Sequence, residues 1–247
     1  MKAAACLAVF AMSPGAAFAF GCDETDRTIE LSAGQNVGGG TPGYEALDLG
    51  PREVVLTFDD GPNADTTPAI LDMLREACVP ETLFVLGGQV EENPDLLKRE
   101  LAEGHAVGGH TVSHADLSEE TFADATRDIV DGFAAVEAAG AEANLFRFPK
   151  LQTTPELLAW VNANGMAAVG ADIDPMDWEG DAPERTLARL TRELKEEGGG
   201  IILLHDSQPN TVKLLPGLLD FLSREGFSVV RLTGARPESQ LASGKAR

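Results

Sequence analysis

Short apolar runs alternate with longer segments of helical period from Glu53 onward, which is the pattern of strand–helix repeats around a parallel sheet. The predicted strands are Val54–Phe58, Thr82–Leu86, Ala106–Gly108, Leu145–Phe148, Ala167–Ala171, Gly200–Leu204 and Ser228–Leu232. The predicted helices are Thr67–Ala77, Pro94–Ala102, Ser118–Ala138, Thr154–Asn164, Pro183–Glu196 and Val212–Glu225. This α/β alternation favours a distorted barrel with its chemistry at the C-terminal strand ends.

The length of 247 residues suits a single barrel domain. Residues 20–50 are rich in Gly, Thr and Asp and follow no sustained period, so we predict an extended N-terminal arm there. We assign 1–19 to a signal peptide, 51–235 to the domain and 236–247 to a C-terminal tail.

The first residues have the features of an export signal. Lys2 precedes a run of apolar and small residues, and residues 17–19 have the A-x-A form of a signal-peptidase site. Cleavage near Ala19 predicts a periplasmic or secreted chain. A buried N-terminal helix is the alternative, which Pro14 and Gly15 disfavour. The apolar run is too short to span a bilayer, and no membrane span is predicted.

Of the three cysteines, Cys6 would leave with the signal peptide, so Cys22 and Cys78 remain as an even pair in an oxidising compartment. We predict a disulfide between them, which would tie the arm to the first barrel helix and contribute roughly 2–4 kcal/mol. Two buried free thiols are the alternative. Lipidation of Cys22 is disfavoured because the expected Leu three residues earlier is missing.

The charge of the chain is strongly acidic, with 40 acidic and 19 basic side chains, a net charge of -21 and a pI near 4.4. Nucleic acid or an anionic membrane surface would be repelled by that field, so neither is an expected partner. A neutral or cationic polymer is a more suitable one. The simpler explanation of the acidic charge is that it only keeps the protein soluble. The sequence does not indicate an oligomeric state.

Two adjacent carboxylates follow the first predicted strand in the run T-F-D-D-G-P. Asp59 and Asp60 would point to opposite sides of an extended backbone, so we expect a turn at Gly61 and Pro62 to bring both into one cleft. One carboxylate can then bind a metal while the other acts as a base. Taken alone, D-D-G-P is also an ordinary turn.

His110 and His114 are spaced i and i+4, and they are two of the chain's four histidines. In a helical turn this spacing places both imidazoles on one face, where a zinc ligand pair is commonly built. Two histidines and one carboxylate leave positions open for water and substrate, as in catalytic zinc sites. A pair of solvated loop histidines is the alternative.

The run Arg147-Phe148-Pro149-Lys150 ends another predicted strand. The paired N–H groups of the Arg147 guanidinium can hold a carboxylate in a fixed orientation. The backbone N–H that follows Pro149 can donate a hydrogen bond to an oxyanion. Taken alone, this run does not identify a functional site.

Asp177 and Trp178 combine a carboxylate with an aromatic wall, a common pairing in sugar sites. His205 ends a fully apolar strand, where a lone histidine is more often structural unless a carboxylate partners it. Asp177 is the candidate partner.

These five clusters, in this order, resemble the motifs of the polysaccharide deacetylases of carbohydrate esterase family four, the NodB homology domain. The family motifs are T-F-D-D-G-P, H-[ST]-x-x-H, R-x-P-[YF], D-x-x-D-W and an apolar strand ending in His, and the resemblance spans about residues 50–235. It implies a distorted (β/α)7 barrel and a divalent metal, usually zinc, with Co, Ni or Mn as alternatives.

The resemblance also implies an activity: hydrolysis of carbon–nitrogen bonds other than peptide bonds, releasing acetate from an acetylated glycan. N-acetylglucosamine units of peptidoglycan or a chitin-like polymer are the expected substrate, with O-acetylated sugars as the alternative. By position, it assigns a role to each matching residue: Asp59 as general base, Asp60, His110 and His114 as metal ligands, Arg147 as the group orienting Asp59, His205 as general acid tuned by Asp177, the Lys150 backbone N–H as oxyanion donor, and Trp178, Leu203 and Pro149 as pocket residues.

Lys150 departs from the family pattern, which has Tyr or Phe at this position. A backbone N–H suffices for the oxyanion, while the ammonium could contact an anionic group on the substrate. Two alternatives stay open: a hydrolase of nonsugar amides on the same barrel, and a noncatalytic glycan-binding relative. The second predicts loss of a base or ligand, and none of the matching residues is missing. A serine hydrolase is disfavoured because no G-x-S-x-G run is present.

Overall fold

The computed structural model of the protein describes residues 27–235. The predicted signal peptide, Cys22 and the predicted C-terminal tail lie outside these residues, so the pairing of Cys22 with Cys78 stays a prediction. Within the described range, no helix is both long enough and apolar enough to cross a bilayer.

A curled parallel sheet with helices packed around it forms a half-barrel, which confirms the predicted distorted barrel. The strands of residues 27–235 are β1 (Thr28–Leu31), β2 (Asn36–Val37), β3 (Glu53–Asp59), β4 (Thr82–Val85), β5 (Ala106–Gly109), β6 (Leu145–Phe146), β7 (Ala167–Val169), β8 (Gly200–His205), β9 (Ser228–Val229) and β10 (Arg231–Gly234). The helices are α1 (Thr67–Ala77), α2 (Gly87–Glu92), α3 (Pro94–Ala102), α4 (Phe122–Ala138), α5 (Pro155–Ala163), α6 (Pro183–Glu197) and α7 (Pro209–Glu225).

The main sheet of the described residues has the order β2-β7-β6-β5-β4-β3-β8, with β9 also paired to β3. Every strand pair is parallel, so all the carboxyl ends of these strands meet at one edge. The register of β3 against β8 places Asp59 directly beside His205. The polar strand ends that the sequence singles out are thus brought together by strand pairing.

The sides of β3 differ in what they contact, as the two-residue period of a strand requires. Val54, Leu56 and Phe58 join the core cluster that packs the helices onto the outer face. Val55 belongs to the cluster inside the curl of the sheet. Asp59 shares that inner side, because residues i, i+2 and i+4 of a strand face the same way. The core therefore directs Asp59 inward.

The start of α4 differs from the prediction. The helix begins at Phe122, four residues after the predicted Ser118, because Thr121 is the N-cap and its hydroxyl accepts a hydrogen bond from the N–H of Asp124 at 3.2 Å. Ser118 instead closes a local turn, in which its hydroxyl donates to Asp116 at 2.6 Å. The sequence offers two hydroxyl residues that could cap this helix, Ser118 and Thr121, and Thr121 is the one that does so.

Helix α5 begins at Pro155, one residue after the predicted Thr154, which is its N-cap. The hydroxyl of Thr154 accepts from the N–H of Leu157, and Pro155 occupies the first helical position. Helix α7 begins at Pro209, three residues before the predicted start. The short elements β1, β2 and α2 were not predicted, because they owe their conformation to pairing with distant strands and to packing rather than to a local pattern.

Two glycines inside helices give a matched test of packing. A Cβ on Gly132 of α4 would lie 2.7 Å from the carbonyl carbon of Thr111, whereas a Cβ on Gly217 of α7 would meet only the end of the flexible Leu187 side chain. Alanine is ordinarily about 1 kcal/mol better than glycine within a helix. We expect Gly132→Ala to lower the free energy of unfolding by about 1–3 kcal/mol through overpacking, and Gly217→Ala to leave it unchanged or higher. Urea unfolding curves measure both, and equal effects would contradict the packing assigned to Gly132.

Candidate active site and metal centre

Residues that end or follow β3, β5, β6, β7 and β8 surround one cavity of about 510 Å³. Its lining residues are Asp59, Asp60, His110, His114, Lys150, Leu151, Asp174, Trp178, Leu203 and His205. A more open groove of about 590 Å³ beside α2 and α4 contains none of the predicted site residues. The chemistry predicted from the sequence is therefore gathered at the carboxyl edge of the sheet.

Asp59 and Asp60 share this cavity because the backbone bends at Asp60 itself, which has a φ of 76°. The bend was predicted one residue later, at Gly61. The carbonyl of Gly61 accepts from the N–H of Leu86 at 2.9 Å, which holds the turn against β4. A Cβ on Gly61 would lie 2.0 Å from a carboxylate oxygen of buried Asp206, so only glycine fits there.

The two histidines lie on a loop, so the predicted helical turn is wrong. Thr111 and His114 both have positive φ, 69° and 59°, which breaks the helical path. Asp128 of α4 holds the loop instead: its Oδ1 accepts from the N–H groups of residues 112–113, and its Oδ2 accepts from the Ser113 hydroxyl at 2.6 Å. The histidine rings still come together, with centroids 5.0 Å apart.

Three ligand atoms converge where a metal could bind. Oδ1 of Asp60 lies 3.6 Å from Nε2 of His110 and 3.4 Å from Nε2 of His114. Potential ligand atoms of all three residues lie within 4.8 Å of one another. Oδ1 of Asp60 is buried and has no hydrogen-bond partner among residues 27–235. A divalent cation would satisfy this oxygen, so the three side chains fit a metal.

The protonation of His110 suits a ligand. Its Nδ1 lies 2.8 Å from the backbone carbonyl of Arg147, and a carbonyl only accepts, so Nδ1 carries the hydrogen and Nε2 the lone pair. Burial lowers the pKa of His110 to about 3, while the nearby Asp60 opposes that shift. The imidazole is therefore neutral near pH 7 and points its free nitrogen toward Asp60.

Asp59 is held by a completely buried arginine. Nη1 of Arg147 donates to Oδ1 of Asp59 and to the Thr57 hydroxyl, both at 2.7 Å. Its Nε and Nη2 donate to the carbonyls of residues 169–170, and the guanidinium lies 4.3 Å from the ring centre of Phe84. Burial raises the pKa of Asp59 and the charge of Arg147 opposes that rise. Oδ2 of Asp59 is left facing Nε2 of His110 at 3.7 Å.

His205 pairs with Asp177, as the sequence suggested. Nδ1 of His205 donates to Oδ1 of Asp177 at 2.7 Å, and its backbone N–H donates to Oδ2 at 2.9 Å. The hydroxyl of Thr211 also donates to Asp177. Burial lowers the pKa of His205, but the hydrogen bond and charge of Asp177, with Asp59 and Asp60 adding to them, raise it to about 9. The imidazole is therefore protonated at neutral pH.

The walls of the cavity combine an exposed aromatic ring with a buried aliphatic floor. The Trp178 side chain is exposed and Leu203 is buried. Lys150 lines the cavity with a φ of 57°, and its Nζ lies 3.7 Å from Oδ2 of Asp116. Pro149 is buried at the start of the short 3-10 turn Pro149–Leu151, which contains Lys150, and it does not itself line the cavity, contrary to the prediction.

Several residues of the site were given no role from the sequence. Thr57 and Thr211 hold Arg147 and Asp177, and Leu151 and Asp174 line the cavity. The signal for Thr57 was its place in T-F-D-D-G-P, and Asp174 lies in the same cluster as Asp177. Nothing local distinguishes Thr211 or Leu151 from ordinary helix and loop residues.

The buried arginine gives a prediction for stability. Arg147→Met would leave the carboxylate of Asp59 buried without its partner, so we expect the free energy of unfolding to fall by about 3–5 kcal/mol. Arg127→Met is the control: its pair with Asp124 is exposed, and such pairs contribute about 0–1 kcal/mol. Adding Asp59→Asn to Arg147→Met should restore part of the lost free energy of unfolding, because the double variant no longer buries an unpaired carboxylate. A double variant less stable than Arg147→Met in urea would contradict this account.

Comparisons with known proteins agree with this geometry. A family model described as polysaccharide deacetylase matches residues 46–169. The chain is 36% identical to a chitooligosaccharide deacetylase of Bradyrhizobium sp. (strain ANU 289), over 73% of this chain and 89% of that protein. It is 32% identical to a peptidoglycan-N-acetylglucosamine deacetylase of Bacillus cereus, over 77% of this chain and 92% of that one.

Among solved structures, a peptidoglycan deacetylase of Bdellovibrio bacteriovorus superposes with a TM-score of 0.77 at 33% identity. The match covers 87% of this chain and 60% of that protein's chain. Sequence and fold thus lead to the same family of hydrolases, and the chain belongs to the polysaccharide deacetylases.

Proposed function

We propose that the chain removes acetyl groups from N-acetylglucosamine units of a peptidoglycan-like or chitin-like glycan and releases acetate. The observation that carries the proposal is that one cavity brings together a three-residue ligand set, the buried Asp59–Arg147 pair and the His205–Asp177 pair. The relatives named above act on chitooligosaccharide and peptidoglycan, which supports a glycan as substrate.

Asp60, His110 and His114 would hold a divalent metal, with zinc the best match to two imidazoles and one carboxylate and Co, Ni or Mn as alternatives. When bound, such a metal supplies a Lewis acid that polarises a carbonyl and makes water more acidic. The contact from Nδ1 of His110 to the Arg147 carbonyl fixes the orientation of one ligand ring.

Asp59 acts as the general base in this proposal. Its Oδ1 is occupied by Arg147, so its Oδ2 is the oxygen available to take a proton from the attacking water. Burial raises the pKa of Asp59, the charge of Arg147 opposes that rise, and the hydrogen bond from Arg147 fixes the direction of Oδ2.

His205 acts as the general acid. Because Asp177 and the other nearby carboxylates keep its imidazole protonated, His205 can donate a proton to the leaving amine as the amide bond breaks. Asp177 positions the ring by binding both Nδ1 and the backbone N–H of His205.

The remaining pocket residues serve substrate binding. The backbone N–H of Lys150 would meet the negative charge that develops on the acetyl oxygen, a contribution typically of about 3–4 kcal/mol. Trp178 offers a face for a sugar ring, and buried Leu203 gives the acetyl methyl an apolar contact. The exposed position of Trp178 favours a polymer over a small enclosed amide. The Lys150 ammonium, paired with Asp116, could contact an anionic substituent of the glycan.

Export completes the proposal. Peptidoglycan lies outside the cytoplasmic membrane, and the N-terminus has the export features described above, so the mature chain would begin after Ala19 and act in the periplasm or outside the cell. The bond between Cys22 and Cys78 would form in that oxidising compartment.

The first test is acetate release from N-acetylglucosamine oligomers, peptidoglycan and acetylxylan, with and without chelator and with zinc restored. We expect chelator-sensitive acetate from one of the N-acetylated glycans and its return with zinc. Acetate from acetylxylan alone would redirect the proposal to O-acetyl groups. Acetate from none of them, with metal verified as bound, would support a nonsugar amidase or a noncatalytic relative.

Two substitutions separate metal binding from proton transfer. We expect Asp59→Asn to keep one equivalent of zinc but to lose turnover by about 10²–10⁴-fold, the usual contribution of a general base. His110→Ala should lose both. Asp95→Asn, on the exposed end of α3, is the control and should change neither. A fully active Asp59→Asn enzyme would remove Asp59 as the base.

The pH profile tests His205. The pKa of His205 in the folded chain is about 9, above the ordinary value of about 6.5, so the imidazole loses its acidic proton only as the pH rises through 9. The stabilisation of the fold by the pair with Asp177 is fully present below about pH 6.5 and is likewise lost as the pH rises through 9. Asp177→Asn removes the charge that raises this pKa. We expect the alkaline limb of kcat/KM, measured at saturating metal, to move about 1–3 units toward lower pH. An alkaline limb that stays in place would contradict the acid assignment.

A further inference from the structure

The segment between β7 and α6 carries Trp178 at the rim of the cavity. Trp178 lines the cavity, yet the residue is 52% exposed, so much of its surface is open to solvent. The preceding residue, Asp177, is buried and pairs with His205. The same short segment therefore presents an aromatic surface at the rim and holds the partner of the proposed general acid.

The backbone of residues 174–181 has little hydrogen bonding of its own. Among the described residues, one backbone–backbone hydrogen bond lies in this range, from the N–H of Glu179 to the carbonyl of Met176 at 3.2 Å. Met176 has a φ of 54°, a conformation that interrupts helices and strands and that non-glycine residues rarely adopt. Side chains from other elements must therefore order this segment if Trp178 is to keep one position.

Arg189 of α6 holds the segment on both sides of Trp178. Its Nε donates to the carbonyl of Pro175 at 2.8 Å, and its Nη2 donates to the same carbonyl. Its Nη1 donates to Oδ2 of Asp181 at 3.3 Å. The Arg189 side chain is only 22% exposed. A planar guanidinium with fixed donor directions thus joins a residue before Trp178 to a residue after it.

Asp177 is held independently of Arg189. Its carboxylate accepts from the backbone N–H and Nδ1 of His205 and from the hydroxyl of Thr211, and its carbonyl accepts from Nδ2 of Asn210 at 3.1 Å. These partners lie on β8 and α7, not on α6. Removing the guanidinium of Arg189 would therefore release the part of the segment around Trp178 and leave the pair of His205 and Asp177 in place.

Arg185, one turn earlier on α6, offers a comparison within the same helix. Its Nη1 donates to Oδ1 of Asp181 at 3.2 Å, but its side chain is 75% exposed. Among the described residues it donates to no carbonyl of the segment. Exposed ion pairs of this kind contribute little order. The two arginines share Asp181 and differ in the contact with the Pro175 carbonyl.

We propose that Arg189 is a positioning residue for glycan binding, which fixes the segment around Trp178 before a sugar unit arrives. The inference rests on the proposed function, because it takes Trp178 as the face on which the sugar lies. A surface that is ordered before binding loses less conformational entropy when the ligand binds. Arg189 therefore acts on the KM for the glycan and not on kcat, since His205 and Asp177 keep their own partners.

Steady-state kinetics with N-acetylglucosamine oligomers test this role. Arg189→Met keeps the aliphatic stem and removes the guanidinium, and we expect the KM to rise about 2–10-fold, the effect of ordering one side chain, at unchanged kcat. Arg185→Met is the matched control and should change neither constant. An unchanged KM, an equal rise in both variants, or a loss confined to kcat would overturn the proposal.

A Trp178→Ala background shows whether Arg189 acts through the aromatic ring. Two substitutions that remove the same interaction are not additive. We therefore expect Arg189→Met to raise the KM much less in Trp178→Ala protein than in the parent. The same fold-change in both backgrounds would contradict an effect through Trp178.

A measurement without turnover separates this inference from the proposed function. The chain has two tryptophans, so Trp160→Phe leaves Trp178 as the one fluorescent indole, and its anisotropy decay reports the mobility of the ring. We expect Arg189→Met to make the ring more mobile and Arg185→Met not to do so. Equal mobility in the two variants would overturn the role of Arg189 even in an active enzyme.

A parent protein that releases no acetate from any glycan would count against the proposed function alone. In that case the oligomer is titrated against the fluorescence of Trp178. Weaker binding to Arg189→Met than to Arg185→Met would support the positioning role, and equal binding would overturn it.

Discussion

The ion pair between Arg147 and Asp59 is the interaction on which the rest of the active site depends. A guanidinium with no exposed surface donates to β3 through Thr57 and Asp59, and to the end of β7 and the residue after it through two carbonyls. The backbone carbonyl of Arg147 also accepts from Nδ1 of His110. One residue thus fixes the proposed base and one proposed metal ligand relative to each other. Burying such a charge is costly, and it is tolerated because each of its nitrogens has an acceptor.

The residues of the site that lie at strand ends could be predicted from the sequence. Four site residues each end or follow an apolar run: Asp59, His110, Arg147 and His205. Parallel strand pairing brings the carboxyl ends of these runs to one edge of the sheet, independently of the conformation of the loops. Loop conformation was not predictable in the same way. The i, i+4 spacing of His110 and His114 indicates a helical turn, but the loop path is set by Asp128, which resembles any other acidic residue of α4 in the sequence.

The errors in the fold have the same origin. Strands β1 and β2 are two to four residues long and carry no period, so only their partners β10 and β7 define them. The start of α4 depended on which of two hydroxyl residues would cap the helix, and Asp116 decides this by engaging Ser118. Local patterns therefore predict elements that are long and buried, whereas short elements and boundaries depend on contacts between residues far apart in the chain.

The two clusters of buried ionisable groups differ in how their charges are met. At the cavity, Asp59 and Asp177 each have a cationic or hydroxyl partner. Asp60, beside two histidines, and buried Asp206, beside Gly61, each have one oxygen without a hydrogen-bond partner among the described residues. At the other end of the sheet, the buried carboxylates of Glu81, just before β4, and of Glu100 in α3 have no hydrogen-bond partner among the described residues. A net charge of -21 raises the local concentration of divalent cations around the whole molecule, so that field favours loading of the proposed Asp60 site. The field does not distinguish one divalent cation from another, so discrimination between metals must come from the ligands. Two imidazoles beside one carboxylate favour zinc over magnesium or calcium, which prefer sites made of oxygen ligands.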